Sequence, residues 1–159
     1  MRGLFSFPDP VNETSARVVA TGVVAMGVLF LVTGSGWMLL ILTLGFLARV
    51  LTGPTLSPLG QFATRVVTPR LPGPHRSVPG PPKRFAQAIG LTFTFGASMA
   101  WILGLEGLAQ LLVVGLVVAA TLEAAFAVCL GCIVYTQLFG CVDCDDIRTR
   151  LEPATVTSD

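Results

Sequence analysis

Apolar positions along this chain fall into four long runs, without the period-2 alternation of half-buried strands or the narrow stripe of a soluble amphipathic helix. Residues 18–33 carry no charge, and with Arg17 snorkelling the segment approaches the ~20 residues that cross a ~30 Å hydrocarbon core at 1.5 Å per residue. Asn12 ahead of Glu13 reads as a helix N-cap with an acidic first turn. Gly34-Ser35-Gly36 is a tight reversal, and Trp37 suits the membrane interface. The second run, 37–51, holds Arg49 near its far end and stops at Gly53-Pro54, because proline supplies no backbone donor. A third helix over 85–105 ends at Gly104-Leu105-Glu106-Gly107. The fourth run starts near Leu108 and stays apolar to Phe139, which predicts one continuous helix longer than a bilayer core, with its last turns in the headgroups or beyond.

Between the second and third runs, residues 54–84 are rich in proline and arginine and include the single histidine, His75, which reads as a solvated loop residue. Each proline would interrupt a strand ladder, so this segment is expected as an extended connector with one short helix over 59–67. The chain thus divides into a lead (1–16), a first transmembrane hairpin (17–53), the connector (54–84), a second transmembrane hairpin (85–140) and an acidic tail (141–159). Each half reads as a polar lead-in, an apolar helix, a Gly-bounded turn and a returning helix. This pattern is compatible with a parallel internal repeat about an axis along the membrane normal, as well as with two unrelated hairpins. On the repeat alignment, residues 53–59 stand opposite 128–134, and Arg49 stands opposite Ala124.

Composition sharpens the class. Hydrophobic residues make up 53% of the chain and charged residues 12%, against about a quarter charged in soluble domains. The expected fold is therefore an all-α integral membrane protein of four transmembrane helices arranged as two helical hairpins. The first ten residues contain a broken apolar run of about five, short of the roughly 7–15 of a signal peptide core, so helix one is expected to stay in the mature chain. A net charge of +1 without a long basic run argues against nucleic acid as a partner. All ten Lys and Arg lie in the lead, the connector with its flanks, or the tail, whereas the two short turns carry only Glu106. Both termini and the connector are accordingly expected on the cytoplasmic side of the inner membrane.

All four cysteines lie within sixteen residues, as Cys129-Leu-Gly-Cys132 and Cys141-Val-Asp-Cys144. In a helix, Cys129 and Cys132 share a face with Cα atoms roughly 5 Å apart, within disulfide reach. Placed at the C-terminal end of a long helix, however, they would meet its negative dipole end, which raises thiol pKa. Cys141 and Cys144 adjoin Asp143, Asp145 and Asp146, carboxylates that disfavour a thiolate and favour a cation. A single four-thiolate zinc site would need the chain to reverse between Cys132 and Cys141, about 13 Å apart if the helix continues. Two dithiols, one shared metal site, and plain packing residues all stand as readings.

Glu123 is the one acidic residue inside an expected span, and such residues face a partner or a cavity. Arg49 is the expected partner, with the hydroxyls of Thr92, Thr94 and Ser98 as alternatives. Ala120, Ala124, Ala127 and Gly131 form a ridge of small residues that admits a close neighbouring helix.

The stretches Gly80-Pro81-Pro82-Lys83-Arg84-Phe85-Ala86-Gln87 and Cys129-Leu-Gly-Cys132-Ile-Val-Tyr135 resemble a family of small bacterial, often actinobacterial, inner-membrane proteins of unknown function. The likeness spans most of residues 8–140. It implies a four-helix fold and an association with thioredoxin-like or rhodanese-like proteins, hence a thiol or sulfur-transfer setting. The second hairpin is also similar to the two-helix domain that follows rhodanese modules in some membrane sulfurtransferases. The functional expectation is a protein that presents paired cysteines at the cytoplasmic face for thiol–disulfide or sulfur exchange, with Cys129 and Cys132 as the exchanging pair, Cys141 and Cys144 as handover thiols, and no cofactor. Two other classes stand beside it. One is a soft-metal (zinc or copper) binding or transport protein using all four cysteines; the other is a non-catalytic accessory subunit of a larger membrane complex.

Overall fold

The computed structural model describes residues 11–70 and 77–140. Helix α1 (Glu13–Thr33) starts at the predicted cap, where Asn12 Oδ1 accepts from the Thr14 and Ser15 backbone N–H groups at 2.9 and 3.4 Å. Gly34, in the left-handed region at φ 66°, ends it and feeds α2 (Gly36–Thr52). A short helix α3 (Pro58–Phe62) follows and continues as a π turn over Ala63–Val67 and a 3-10 turn over Thr68–Arg70, matching the expected helix in the connector. Strands β1 (Val11–Asn12) and β2 (Ser77–Val78) pair antiparallel.

Helix α4 (Gly80–Ile102) begins five residues earlier than the expected 85. Pro81 and Pro82 occupy its first turn, where a missing N–H costs nothing and the fixed φ suits a helix, so the prolines start this helix instead of extending the loop. Lys83 and Arg84 thereby become helical residues. Helix α5 (Glu106–Phe126) crosses back. The expected continuous helix to Phe139 does not form: the chain breaks at Ala127 and restarts as α6 (Leu130–Phe139).

Helices α1, α2, α4 and α5 close into a ring in which α1 packs on α5 and α2, and α4 on α2 and α5. One core cluster gathers Phe30, Leu39, Ala97, Ala100 and Val113, and the other Val23, Leu42, Phe46, Leu116 and Ala120. Between α2 and α4, the Thr43 and Ser98 hydroxyls lie 3.1 Å apart, a polar link of the kind that joins helices in lipid. Helices α1, α4 and α5 are long and apolar enough to cross a membrane; α2, with 17 residues, and α6, with 10, are shorter. Large apolar side chains face outward, among them Trp37, Leu111 and Leu103, which are 72%, 68% and 73% exposed. A lipid bilayer is the environment that accommodates such a surface.

Two contacts tie the halves together in matching fashion. Arg17 of α1 donates from Nε to the Ala124 carbonyl at 3.0 Å and from Nη2 to the Ala125 carbonyl at 3.2 Å, at the C-terminal end of α5. Arg84 of α4 donates from Nε to the Val50 carbonyl at 3.0 Å, near the C-terminal end of α2. Each first helix thus places a guanidinium on the negative dipole end of the other half's second helix.

Candidate functional site: a dithiol at a helix N-terminus

The site is created by the break after α5. Ala127 adopts φ 58° and ψ 21°, the one non-glycine residue with positive φ among the described residues. Its N–H donates to the Glu123 carbonyl at 3.1 Å, and the Val128 N–H donates to the Leu122 carbonyl at 3.2 Å. The first of these is the 5→1 bond of an αL helix end, which usually carries glycine at the left-handed position. The chain then turns extended at Cys129 (φ −95°, ψ 101°), which is the N-cap of α6: its Sγ accepts the Cys132 backbone N–H at 3.4 Å.

This placement overturns the expectation that Cys129 and Cys132 lie at a helix C-terminus. A sulfur at an N-cap faces the positive end of the dipole and free backbone donors, the setting that favours a thiolate. Both residues are free thiols and half-buried. The Cys132 thiol, donating to the Cys129 sulfur, holds Cys129 below the ordinary thiol range; the Lys83 ammonium and the Cys132 N–H act in the same direction, against burial and the Glu123 charge. Cys132 is pushed far above that range by the same hydrogen bond, by burial and by the charge on Cys129. The pair is therefore asymmetric, with one sulfur set to ionise and the other to keep its proton.

Beside the thiols, Lys83 Nζ donates to Glu123 Oε1, and the two side chains are only 8% and 16% exposed. Glu123 is thus paired as expected, but its partner is Lys83, whereas Arg49 donates from Nε to Gln87 Oε1 at 2.9 Å and lies 4.4 Å over the Phe46 ring. The alternative hydroxyl partners are engaged elsewhere: Thr92 with the Ala88 carbonyl, Thr94 with those of Gly90 and Leu91, and Ser98 with that of Thr94. Sequence reasoning missed Lys83 because it kept residues 80–84 in the loop, and the Gly-Pro-Pro start was the signal for its helical position; Gln87 stood inside the expected helix, but nothing in the spacing marked it as the partner of Arg49.

Helix α6 is held on α4 by close backbone approach and by rings. A Cβ on Gly131 would meet Ala86 Cα at 2.6 Å, so the small-residue ridge is used here, although against α4 and from a separate helix. Phe85, Tyr135 and Phe139 stack with centroids 5.2–6.2 Å apart. At ~1.5 Å per residue, α6 measures ~15 Å, too short to cross a bilayer.

Over residues 11–139 the chain matches a domain of unknown function, DUF4395. The chain belongs to the DUF4395 family. No curated protein and no solved structure matches it. The matched region includes Cys129, Cys132, Lys83, Glu123 and Arg49 and ends before Cys141 and Cys144. Those two cysteines, like His75 and the acidic tail, lie outside the described residues. Among the described residues, no three His, Cys, Asp or Glu side chains come close enough to share a metal ion.

Proposed function

We propose that this DUF4395 protein presents Cys129 and Cys132 as an exchanging dithiol, at one face of the membrane, to a thioredoxin-like or rhodanese-like partner. The observation that carries this reading is the N-cap position of Cys129, with the Cys132 N–H on its sulfur and the Lys83–Glu123 pair beside it. In the exchange, the Cys129 thiolate attacks a partner disulfide and displaces one partner thiolate. Cys132 then gives up its proton and attacks Cys129, so that the partner leaves as a dithiol and Cys129–Cys132 becomes the disulfide. The same steps run backwards oxidise a partner dithiol. With a partner persulfide, the Cys129 thiolate takes the outer sulfur and the partner leaves as a thiolate. Cys141 and Cys144, a few residues along the chain, are the handover pair in this scheme.

The same reading sets the chain in the cytoplasmic membrane as four spans in two hairpins, with both termini and the basic connector on the cytoplasmic side. The matched Arg17 and Arg84 contacts support a parallel repeat. So do the caps at the two helices that follow each hairpin: Ser57 Oγ accepts the Gly60 N–H as Cys129 Sγ accepts that of Cys132. By cap role Ser57 pairs with Cys129, three residues away from the alignment expected from the sequence, which sets it against Cys132.

The test is trapping in native membranes. A Cys132→Ser chain keeps the attacking sulfur but lacks the resolving one, so it is expected to accumulate a mixed disulfide through Cys129 with a thioredoxin-like or rhodanese-like protein. Absence of any adduct through Cys129, with Cys132→Ser still folded and inserted, overturns the reading.

A further inference from the structure

Cys129 lines two cavities and, among the described residues, is the one common to both walls. One, of about 440 Å³, also contains Lys83, Cys132, Pro79 and Thr136 and adjoins the polar start of α1 at Glu13. The other, of about 300 Å³, lies between α4, α5 and α6, with Phe46 of α2 at one wall. The second is apolar except for Gln87, Glu123 and Cys129, and its rim includes Phe93, Leu130 and Val134, all of them exposed apolar side chains on the outer surface. Such an exposed apolar rim suits acyl chains, so in a bilayer the cavity would admit molecules dissolved in lipid and lead them to a thiol.

We propose that this cavity binds the ring of a lipid-soluble quinone, which takes two electrons from the Cys129–Cys132 dithiol. The inference rests on the dithiol reading above and adds the electron acceptor. A flat apolar ring fits among Phe46, Phe93, Leu116 and Ala119, its alkyl tail leaving past Leu130 and Val134 into the acyl chains. Gln87 gives its Oε1 to Arg49, which turns its amide N–H groups toward other acceptors; a ring carbonyl in the cavity is one. In the reaction the Cys129 thiolate and the Cys132 thiol join in one S–S bond; the Cys132 S–H bond breaks, and the second proton comes from solvent. Two electrons pass to the ring, and two protons convert its carbonyls to hydroxyls. Glu123, held by Lys83 and lining the same cavity, is placed to carry a proton between sulfur and ring oxygen. The first cavity remains free for the protein partner, so that partner electrons enter through one cavity and leave to lipid through the other.

The experiment uses the full chain in lipid nanodiscs with Cys141→Ser and Cys144→Ser, reduced and held without oxygen. The oxidant is a short-tailed benzoquinone with every ring position substituted, which cannot trap a thiol by conjugate addition. Expected are one quinol formed and two thiols lost per chain. Ala119→Phe and Val134→Phe, each filling the cavity from a different helix, should slow this reaction at least about tenfold. Oxidation of the same variants by a water-soluble disulfide should stay at the parent rate, which also shows that they fold. A dithiol that reacts with the aqueous disulfide but leaves the quinone unreduced overturns the proposal and spares the exchange reading. Quinone reduction unaffected by both fillings also overturns it. A dithiol inert to both oxidants removes the exchange reading as well.

Discussion

At the scale of single residues, the chemistry turns on four side chains: Cys129, Cys132, Lys83 and Glu123. Cys129 is held below the ordinary thiol range and Cys132 above it, so alkylation by a neutral reagent should be confined to Cys129, with a pH midpoint below the ~8.5 of a free cysteine. Removing the Cys132 thiol as Cys132→Ala should raise that midpoint most, because its hydrogen bond is the largest influence. Lys83→Met should also raise it, by deleting a cation and leaving Glu123 uncompensated; peptide mass spectrometry across a pH series reads both shifts. Lys83→Met also breaks a pair that is nearly excluded from water. Loss of one partner from a buried ion pair costs about 3 kcal/mol or more, and replacing both removes most of that penalty. The double variant K83M/E123Q should therefore melt above Lys83→Met alone, as followed by circular dichroism in detergent.

Among the elements, the α5–α6 break decides what the cysteines are. Its left-handed residue is Ala127, which costs roughly 1–2 kcal/mol relative to glycine in that conformation. Ala127→Gly should accordingly raise the melting temperature, and Ala127→Val, with a β-branched side chain at φ 58°, should lower it. Docking of α6 depends on Gly131 against the Ala86 backbone, which cannot move aside as a side-chain tip can. Gly131→Ala should lift α6 from α4, faster amide exchange across Leu130–Phe139 being the readout, and should return the Cys129 midpoint toward that of a free thiol.

Over the whole molecule, two guanidiniums lock the hairpins to each other, Arg17 on α5 and Arg84 on the end of α2. The same end of the bundle carries α3, α6, the β1–β2 pair and the dithiol, while the Gly34 and Gly104 turns lie at the opposite end. On the proposed four-span arrangement with cytoplasmic termini, a membrane-impermeant maleimide added outside intact cells should label Ser35→Cys and Glu106→Cys in a chain whose native cysteines are serine. It should reach Thr55→Cys only after lysis. Labelling of all three from one side would contradict the four-span arrangement and leave the helical membrane fold in place.

Much of this was readable from one dimension, for a definite reason: in lipid every backbone group must be satisfied within its own helix, so length and apolarity alone locate the segments. The ends of α1 and α2, the Asn12 cap and the short helix in the connector followed from local rules. What tertiary structure alone decided was the site. Residues 122–132 contain no proline, and their one glycine, Gly131, lies beyond the break, so local propensity favours a continuous helix; the reversal at Ala127 exists because Arg17 on the α5 carbonyls and α4 against Gly131 stabilise it. The same packing chose Lys83 over Arg49 for Glu123, a choice between cations that spacing along the chain cannot make. The sequence by itself determined a helical membrane protein with two cysteine pairs near its end. The fold decided that one pair sits at the start of a helix, where the positive dipole end and a buried cation can make a sulfur reactive.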